Sequence, residues 1–264
     1  MPKISVLMSI YNQEERFLIQ SIESILAQTD ADFEFIIIDD GSDKENAEVL
    51  ESYTSQDSRI KLIKNSHNIG LTKSLNLGIK NAQGEYIARM DSDDIAFPNR
   101  LENQLNFLLN NGADIIGSAC EIIDTRGRQL KKTATIPSFM TQNLPKTLLK
   151  GNFFTHSTLF GKRSVFGELY NESFKRAQDY EFLLRIISKK FKLSYQPQYV
   201  LKYRLGNKSI SYQNSKEQEW FAIKARWLAI TKYGYSIFYS IYILRALIVA
   251  LIPHRLKRFL LHKI

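Results

Sequence analysis

Four short apolar runs, each followed by a segment of helical periodicity, constrain this chain more than any other feature. "ISVLMSI", "FEFIIIDD", "IKLIKN" and "EYIARMD" have strand length, and the second is apolar on both faces, as a central parallel strand is. Between them, helical stripes pass through Phe17, Leu18, Ile22, Ile25 and Leu26 and through Leu71, Leu75 and Ile79, while Asp43 stands ready to cap the helix after "DDGS". Strands alternating with helices predict an α/β fold with a mostly parallel sheet, right-handed crossovers and a ligand cleft beyond the carboxyl ends of the strands. Three of those ends are polar: Ser9 to Asn12, Asp39 to Ser42, and Asp91 to Asp94. They should meet in one cleft.

The last of them, "DSDD", packs Asp91, Asp93 and Asp94 into four positions. Carboxylates so close repel unless positive charge joins them, and Mg²⁺ or Mn²⁺ takes such oxygen ligands together with substrate phosphates. A solvated acidic turn that caps the next helix is the plainer reading of an isolated D-x-D. Glycine-rich phosphate cradles are missing from the sequence, both G-x-G-x-x-G after the first strand and G-x-x-x-x-G-K-[ST] anywhere. A bound nucleotide diphosphate must therefore be held by metal rather than by a glycine loop. The same lack, with "SIYNQEER" after the first strand, weighs against a nucleotidyltransferase.

Beyond Pro98 the pattern becomes mixed. A helix is expected through Leu101, Leu105 and Leu108, then a strand in "ADIIGSACEIID" and a glycine turn in "DTRGRQL". Further strands are expected in "KTATIP" and "HSTLFGK", and helices in "DYEFLLRIISKK" and over residues 214–232. The single cysteine, Cys120, excludes an internal disulfide framework and fits a reducing compartment. No secretory signal opens the chain, and His67, His156, His254 and His262 lack zinc-like spacing.

Three stretches together carry a family likeness. "SVLMSIYNQEERFLIQSIESILAQTDADFEFIIIDDGSDKE", "NIGLTKSLNLGIKNAQGEYIARMDSDDIAFPNRLENQL" and "HSTLFGKRSVFGELYNESFKRAQDYEFLLRI" resemble, in order, blocks of family 2 glycosyltransferases with the GT-A fold. The third resembles the bacterial cell-surface polysaccharide branch. The resemblance implies a Rossmann-like GT-A catalytic domain over residues 1–210, with a nucleotide-binding half (1–98) and an acceptor-side half (99–210). Residues 211–264 would form a helical, membrane-associating appendage.

The likeness also implies residue roles. Ser9, Tyr11, Asp39 and Asp40 would line the nucleotide pocket, with Asn68, Lys73, Asn76, Asp91 and Ser92 also toward the donor. Asp93, with Asp91, would hold the divalent metal, Mn²⁺ or Mg²⁺. Asp179 would be the general base; many relatives carry Glu-Asp where this chain has Gln178-Asp179. His156, Gln178 and Lys208 would lie near the acceptor or diphosphate. The implied reaction is inverting transfer of a sugar from a nucleotide-diphosphate donor, UDP first, to a hydroxyl of a glycan or lipid-linked acceptor.

Charge is unevenly distributed. The chain carries +9, yet residues 202–264 hold twelve Lys and Arg against only Glu217 and Glu219, a balance of +10 that leaves residues 1–201 at −1. Residues 235–252, "YSIFYSIYILRALIVALI", are apolar apart from Arg245, and residues 254–264 read as a basic amphipathic helix. A span needs about 20 apolar residues, and a central arginine costs about 2.5–3.5 kcal/mol on insertion. The tail thus predicts peripheral contact with anionic membrane, with Tyr233, Tyr235, Tyr239 and Tyr242 at the interface, or else a helical hairpin closing the core. The expected place of work is the cytoplasm at the inner face of the cell membrane. No nucleic-acid-binding module accompanies the basic tail, so no nucleic-acid partner is expected.

Overall fold

The structure, a computed structural model, describes residues 1–30, 32–132, 143–206 and 215–251. Its centre is a mixed sheet of nine strands among those residues: β1 (Ile4–Ile10), β2 (Phe33–Asp39), β3 (Ile60–Lys64), β4 (Tyr86–Asp91), β5 (Ile95–Ala96), β6 (Ile115–Ile123), β7 (Gln129–Lys132), β8 (Phe160–Lys162) and β9 (Leu193–Arg204). The order is β3-β2-β1-β4-β8-β6-β9-β5, with β7 pairing to β6. The four expected apolar runs form β1 to β4, and all their pairings are parallel. β8 then runs antiparallel between β4 and β6, so the sheet beyond β4 is mixed.

The helices are α1 (Glu15–Leu26), α2 (Lys44–Gln56), α3 (Leu71–Asn81), α4 (Arg100–Asn110), α5 (Leu144–Lys150), α6 (Arg163–Phe166), α7 (Gln178–Ser188), α8 (Ser215–Thr231) and α9 (Ser240–Leu251). Asp43 caps α2, accepting from Asn46 N at 3.0 Å, as the sequence leads one to expect.

Alternate residues of each strand feed two cores. Leu7, Ile36, Ile38 and Ile87 join α3, α5 and α7 on one face, whereas Val6, Met8, Phe35, Ile37, Ala88 and Met90 join α1 and α4 on the other. Each such fully buried side chain contributes about 1.5–3 kcal/mol. On β4, Arg89 and Asp91 share the face of Ile87 by the period of two. That face leads to α7, where Asp179 sits in the first turn.

β9 shifts register against β6 between Ser118 and Cys120, beside Pro197, which has no N–H to give the ladder. The strand nevertheless continues twelve residues to Arg204. "HSTLFGK" divides into a 3-10 turn, His156–Thr158, and the short strand β8, because Thr158 turns its hydroxyl back to Thr155 O. "KTATIP" from residue 133 onward, Lys208 and residues 254–264 lie outside the described residues.

The C-terminal helices dock on the body. Tyr233 hydrogen-bonds Glu181, Tyr235 Oη donates to Leu184 O at 2.9 Å, and Arg226 Nε donates to Leu149 O at 2.8 Å. Tyr233, Tyr235, Tyr239 and Tyr242 are half-buried and pack against the α3–α7 core. The reason is that α7 offers Tyr233 and Tyr235 acceptors along with apolar contact. Among the described residues, no helix is long and apolar enough to cross a membrane.

Candidate active site

β1 lies between β2 and β4, with successive crossovers leaving it in opposite directions, which creates the switch point where open sheets bind ligands. In register there, Ser9 pairs with Asp91 on one side and Ile38 on the other, and Ile10 pairs with Asp39. The three polar strand ends therefore share one rim.

The loops above this rim lock together. Asp39 Oδ1 accepts from Ser42 N at 2.9 Å, and Asn12, with φ +48°, accepts from Asp43 N at 2.8 Å. Asp40 is buried and fully engaged: it accepts from Asn65 Nδ2, Ile69 N and Gly70 N at 2.8–2.9 Å. Its carboxylate thus shapes the β3–α3 loop, which carries the exposed Asn68 to the rim. Gly41 makes that closure possible. Its φ is +76°, and a Cβ there would come within 2.7 Å of His67 backbone. Tyr11 stands half exposed at the end of β1, and Ser92 is buried with its Oγ 3.2 Å from Gln13 Oε1. Lys73 is exposed on α3. Asn76 is buried, and its amide is spent on Tyr170 N, Tyr170 O and Glu172, so it braces the Tyr170 segment.

Arg89 stands among the acidic groups. It is buried and ion-paired to Asp91. Burial alone would depress its pKa, but the Asp91 charge and hydrogen bond reverse that, with smaller contributions from Tyr170 and Asp94. The same positive charge also acts on Asp93, His156 and Asp179. The field of one guanidinium therefore reaches both the acidic strand end and the start of α7.

Asp93 is pushed up to about 7, first by burial and then by the charge of Asp91. Asp94 lies deeper and is raised well above the carboxylate range by burial and by Asp93. Asp94 Oδ1 accepts from Arg204 N at 2.9 Å, while its Oδ2 is buried without a partner. Arg204 also donates from Nε to Asp93 O at 2.8 Å and from an Nη to Gln20 at 2.8 Å, and stacks over Phe17. The last strand thus pins the acidic loop by its main chain.

On the α7 side, Asp179 Oδ2 accepts from Asn152 Nδ2 at 2.7 Å, and burial raises its pKa. Gln178, buried, opens the helix after Ala177, which takes the left-handed φ of +52°. His156 Nε2 lies 2.9 Å from the Tyr170 hydroxyl. Burial, with Arg89, holds the imidazole well below its ordinary pKa, so it is neutral, and burial raises that of Tyr170.

Arg100, from the "PNRL" motif, supports this floor. It donates to Arg89 O at 2.6 Å, Ser157 O at 2.8 Å and Gln104 Oε1 at 2.9 Å, all buried. Neither Arg89, Arg204 nor Asn152 is singled out by sequence reasoning. Arg89 carries a signal all the same, an arginine at an inward position of an otherwise apolar strand.

Residues 5–170 match Glycosyl transferase family 2. The chain belongs to that family. This glycosyltransferase is 35% identical over 232 residues to an uncharacterized glycosyltransferase of Methanocaldococcus jannaschii, covering 86% of this chain and 80% of that one. It is also 35% identical to the O-antigen biosynthesis glycosyltransferase WbnJ of Escherichia coli, covering 78% and 81%. The likeness to a polysaccharide-synthesis branch of the family therefore holds. Its fold superposes on the crystal structure of S. aureus TarS 1-349 in complex with UDP-GlcNAc with a TM-score of 0.70, at 17% identity, covering 93% of this chain and 71% of that chain. The fold is GT-A, as the motifs imply.

Proposed function

We propose that this family 2 glycosyltransferase moves a sugar from a UDP-linked donor to a hydroxyl of a glycan or lipid-linked acceptor, with inversion, in bacterial surface polysaccharide synthesis. The observation that supports the reading is the buried Arg89, which is ion-paired to Asp91 and whose charge also reaches Asp93 and Asp179. Donor and base groups this arranged can act on one sugar. Residues 1–98 would supply the donor half and 99–210 the acceptor half, with 211–264 as an appendage working at the inner face of the cell membrane.

The base would meet the nucleotide among Ser9, Tyr11, Asp39 and Asn68, with Lys73, Ser92 and Asp40's loop completing the pocket. A divalent ion fits the donor set. Burial and the charge of Asp91 push the Asp93 pKa up to about 7, and a cation there would offset both. Among the described residues no group of three or more His, Cys, Asp and Glu gathers as a metal cage, so an ion held by Asp93 and Asp91 would need phosphate and water to complete its shell. Bound by Asp93 and Asp91, such an ion supplies charge neutralisation for the departing diphosphate.

Asp179 takes the proton of the acceptor hydroxyl as its oxygen bonds to the anomeric carbon, and the carbon–oxygen bond to the diphosphate breaks. A pKa raised by burial makes this carboxylate a better base than an exposed one. His156 and Gln178 would orient acceptor or diphosphate. The test is a nucleotide-sugar panel scored for metal-dependent release of nucleoside diphosphate. Release of UDP with one sugar supports the reading; release of pyrophosphate overturns it.

A further inference from the structure

The C-terminal hairpin has an apolar side that the body does not use. On α9, Ile243 is buried and Tyr242 packs inward beside Tyr239 of the preceding turn, so the helix has already satisfied its core-facing side. Opposite them, Ile241, Leu244 and Ile248 follow one another at helical spacing and are each more than half exposed. Ile237 and Phe238, in the 3-10 turn that leads into α9, are 67% and 85% exposed. A helix on a protein surface ordinarily turns polar residues outward. A contiguous row of exposed large apolar side chains marks a contact surface.

Charge decides what kind. Between α8 and α9 lies a cleft of about 280 Å³ whose lining includes Lys150, Arg226 and Arg245 against the single acid Glu219, with Tyr242 and Ala246. Arg226 is fixed there by its bonds to Leu149 O and Lys150 O. The sequence that follows α9 adds Arg255, Lys257, Arg258 and Lys263. A second copy of the chain on a two-fold axis would set this positive surface against itself. An anionic bilayer complements both the apolar row and the charge.

We infer that the row Ile237, Phe238, Ile241, Leu244 and Ile248 enters the interface of an anionic phospholipid bilayer while the Lys150–Arg226–Arg245 cleft receives a lipid phosphate. The helix lies flat. Its twelve residues span about 18 Å, well short of the about 30 Å of a hydrocarbon core. The inference rests on the membrane placement of residues 211–264 proposed above and does not depend on the donor proposed there.

The experiment uses the full chain with vesicles of phosphatidylcholine, alone or with phosphatidylglycerol. Trp220 and Trp227 are the chain's two tryptophans. In a Trp220→Phe, Trp227→Phe background, Phe238→Trp gives a reporter on the row. Its emission should shift to the blue with anionic vesicles and be quenched by lipids brominated in the acyl chain. Cosedimentation should fall at least tenfold in Ile241→Ser/Leu244→Ser and severalfold in Lys150→Gln/Arg245→Gln or in high salt. Circular dichroism and UDP-donor binding should stay unchanged in these variants, which separates loss of docking from loss of fold or of donor chemistry. Unshifted emission with anionic vesicles, or cosedimentation indifferent to Ile241→Ser/Leu244→Ser, overturns the inference. So does a stable dimer that the same double variant dissociates, or an equal emission shift with soluble glycerol phosphate alone.

Discussion

Asn152 donates from its Nδ2 to Asp179 Oδ2 at 2.7 Å, joining the loop after α5 to the first turn of α7. This bond favours the ionised carboxylate against the burial that raises its pKa. Asp179→Asn should lower kcat by about 10²–10⁴ while donor affinity stays within a few fold, as measured by turnover and donor titration. Asn152→Ala should raise the Asp179 pKa further. The acidic limb of the pH–rate profile then moves to higher pH, and the loss of rate is larger at pH 6 than at pH 8.

The Asp93 pKa of about 7 ties stability to pH in a direction that can be worked out. Unfolded, this carboxyl titrates near its ordinary value of 3.8. Between those values the folded state holds the proton and the unfolded state does not, so stability of the metal-free protein declines as pH rises from about 4 through about 7. Asp93→Asn should therefore raise the metal-free Tm at pH 8 by several degrees and change it little near pH 4. Mn²⁺ should raise the wild-type Tm more at pH 8 than at pH 5.5. A metal shift that survives Asp93→Asn at full size would remove this residue from the ion's ligands.

Arg100 is held by four buried acceptors, Arg89 O, Ser157 O, Gln104 Oε1 and Met90 Sδ. Arg100→Met leaves Arg89 O and Ser157 O without their donor, each at about 1–3 kcal/mol, and thermal unfolding should drop by on the order of 10 °C. Arg100→Lys should recover only part of this, since an ammonium lacks the planar fork that reaches both carbonyls.

Gly41→Ala should be costly for a different reason. Its φ of +76° disfavours a side chain, and the new methyl would press on His67 backbone. The expected outcome is weaker donor binding together with a lower Tm, read by isothermal titration and by thermal unfolding.

Much of the donor half is legible in the sequence because its physics is local. Continuous apolar runs such as "FEFIIID" fix β1 to β4, and the polar residues that end them fall where a parallel sheet opens. Asp43 is readable as a cap because the rule spans only three residues. The acceptor half is harder. β9 contains Gln196, Pro197 and Gln198, which break the apolar signal, and it is held as a strand by its long pairing with β6. Two-residue β5 exists only because β9 is there to bond it. Arg89 and Arg204 escape notice for the same reason: each is defined by partners far away in sequence. Asn76 shows the converse, a residue whose position fits the donor side but whose amide is consumed by Tyr170 and Glu172.

Gln20 and Arg204 are joined by a 2.8 Å hydrogen bond across 184 positions of chain. The brace on the acidic loop thus leaves the ribosome 110 residues after Asp94 itself. A nascent chain can assemble its early parallel strands and still lack the anchor of its Asp93–Asp94 loop until translation passes residue 204. Timing is therefore written into the topology: the acidic loop takes its braced form only once β9 has been synthesised.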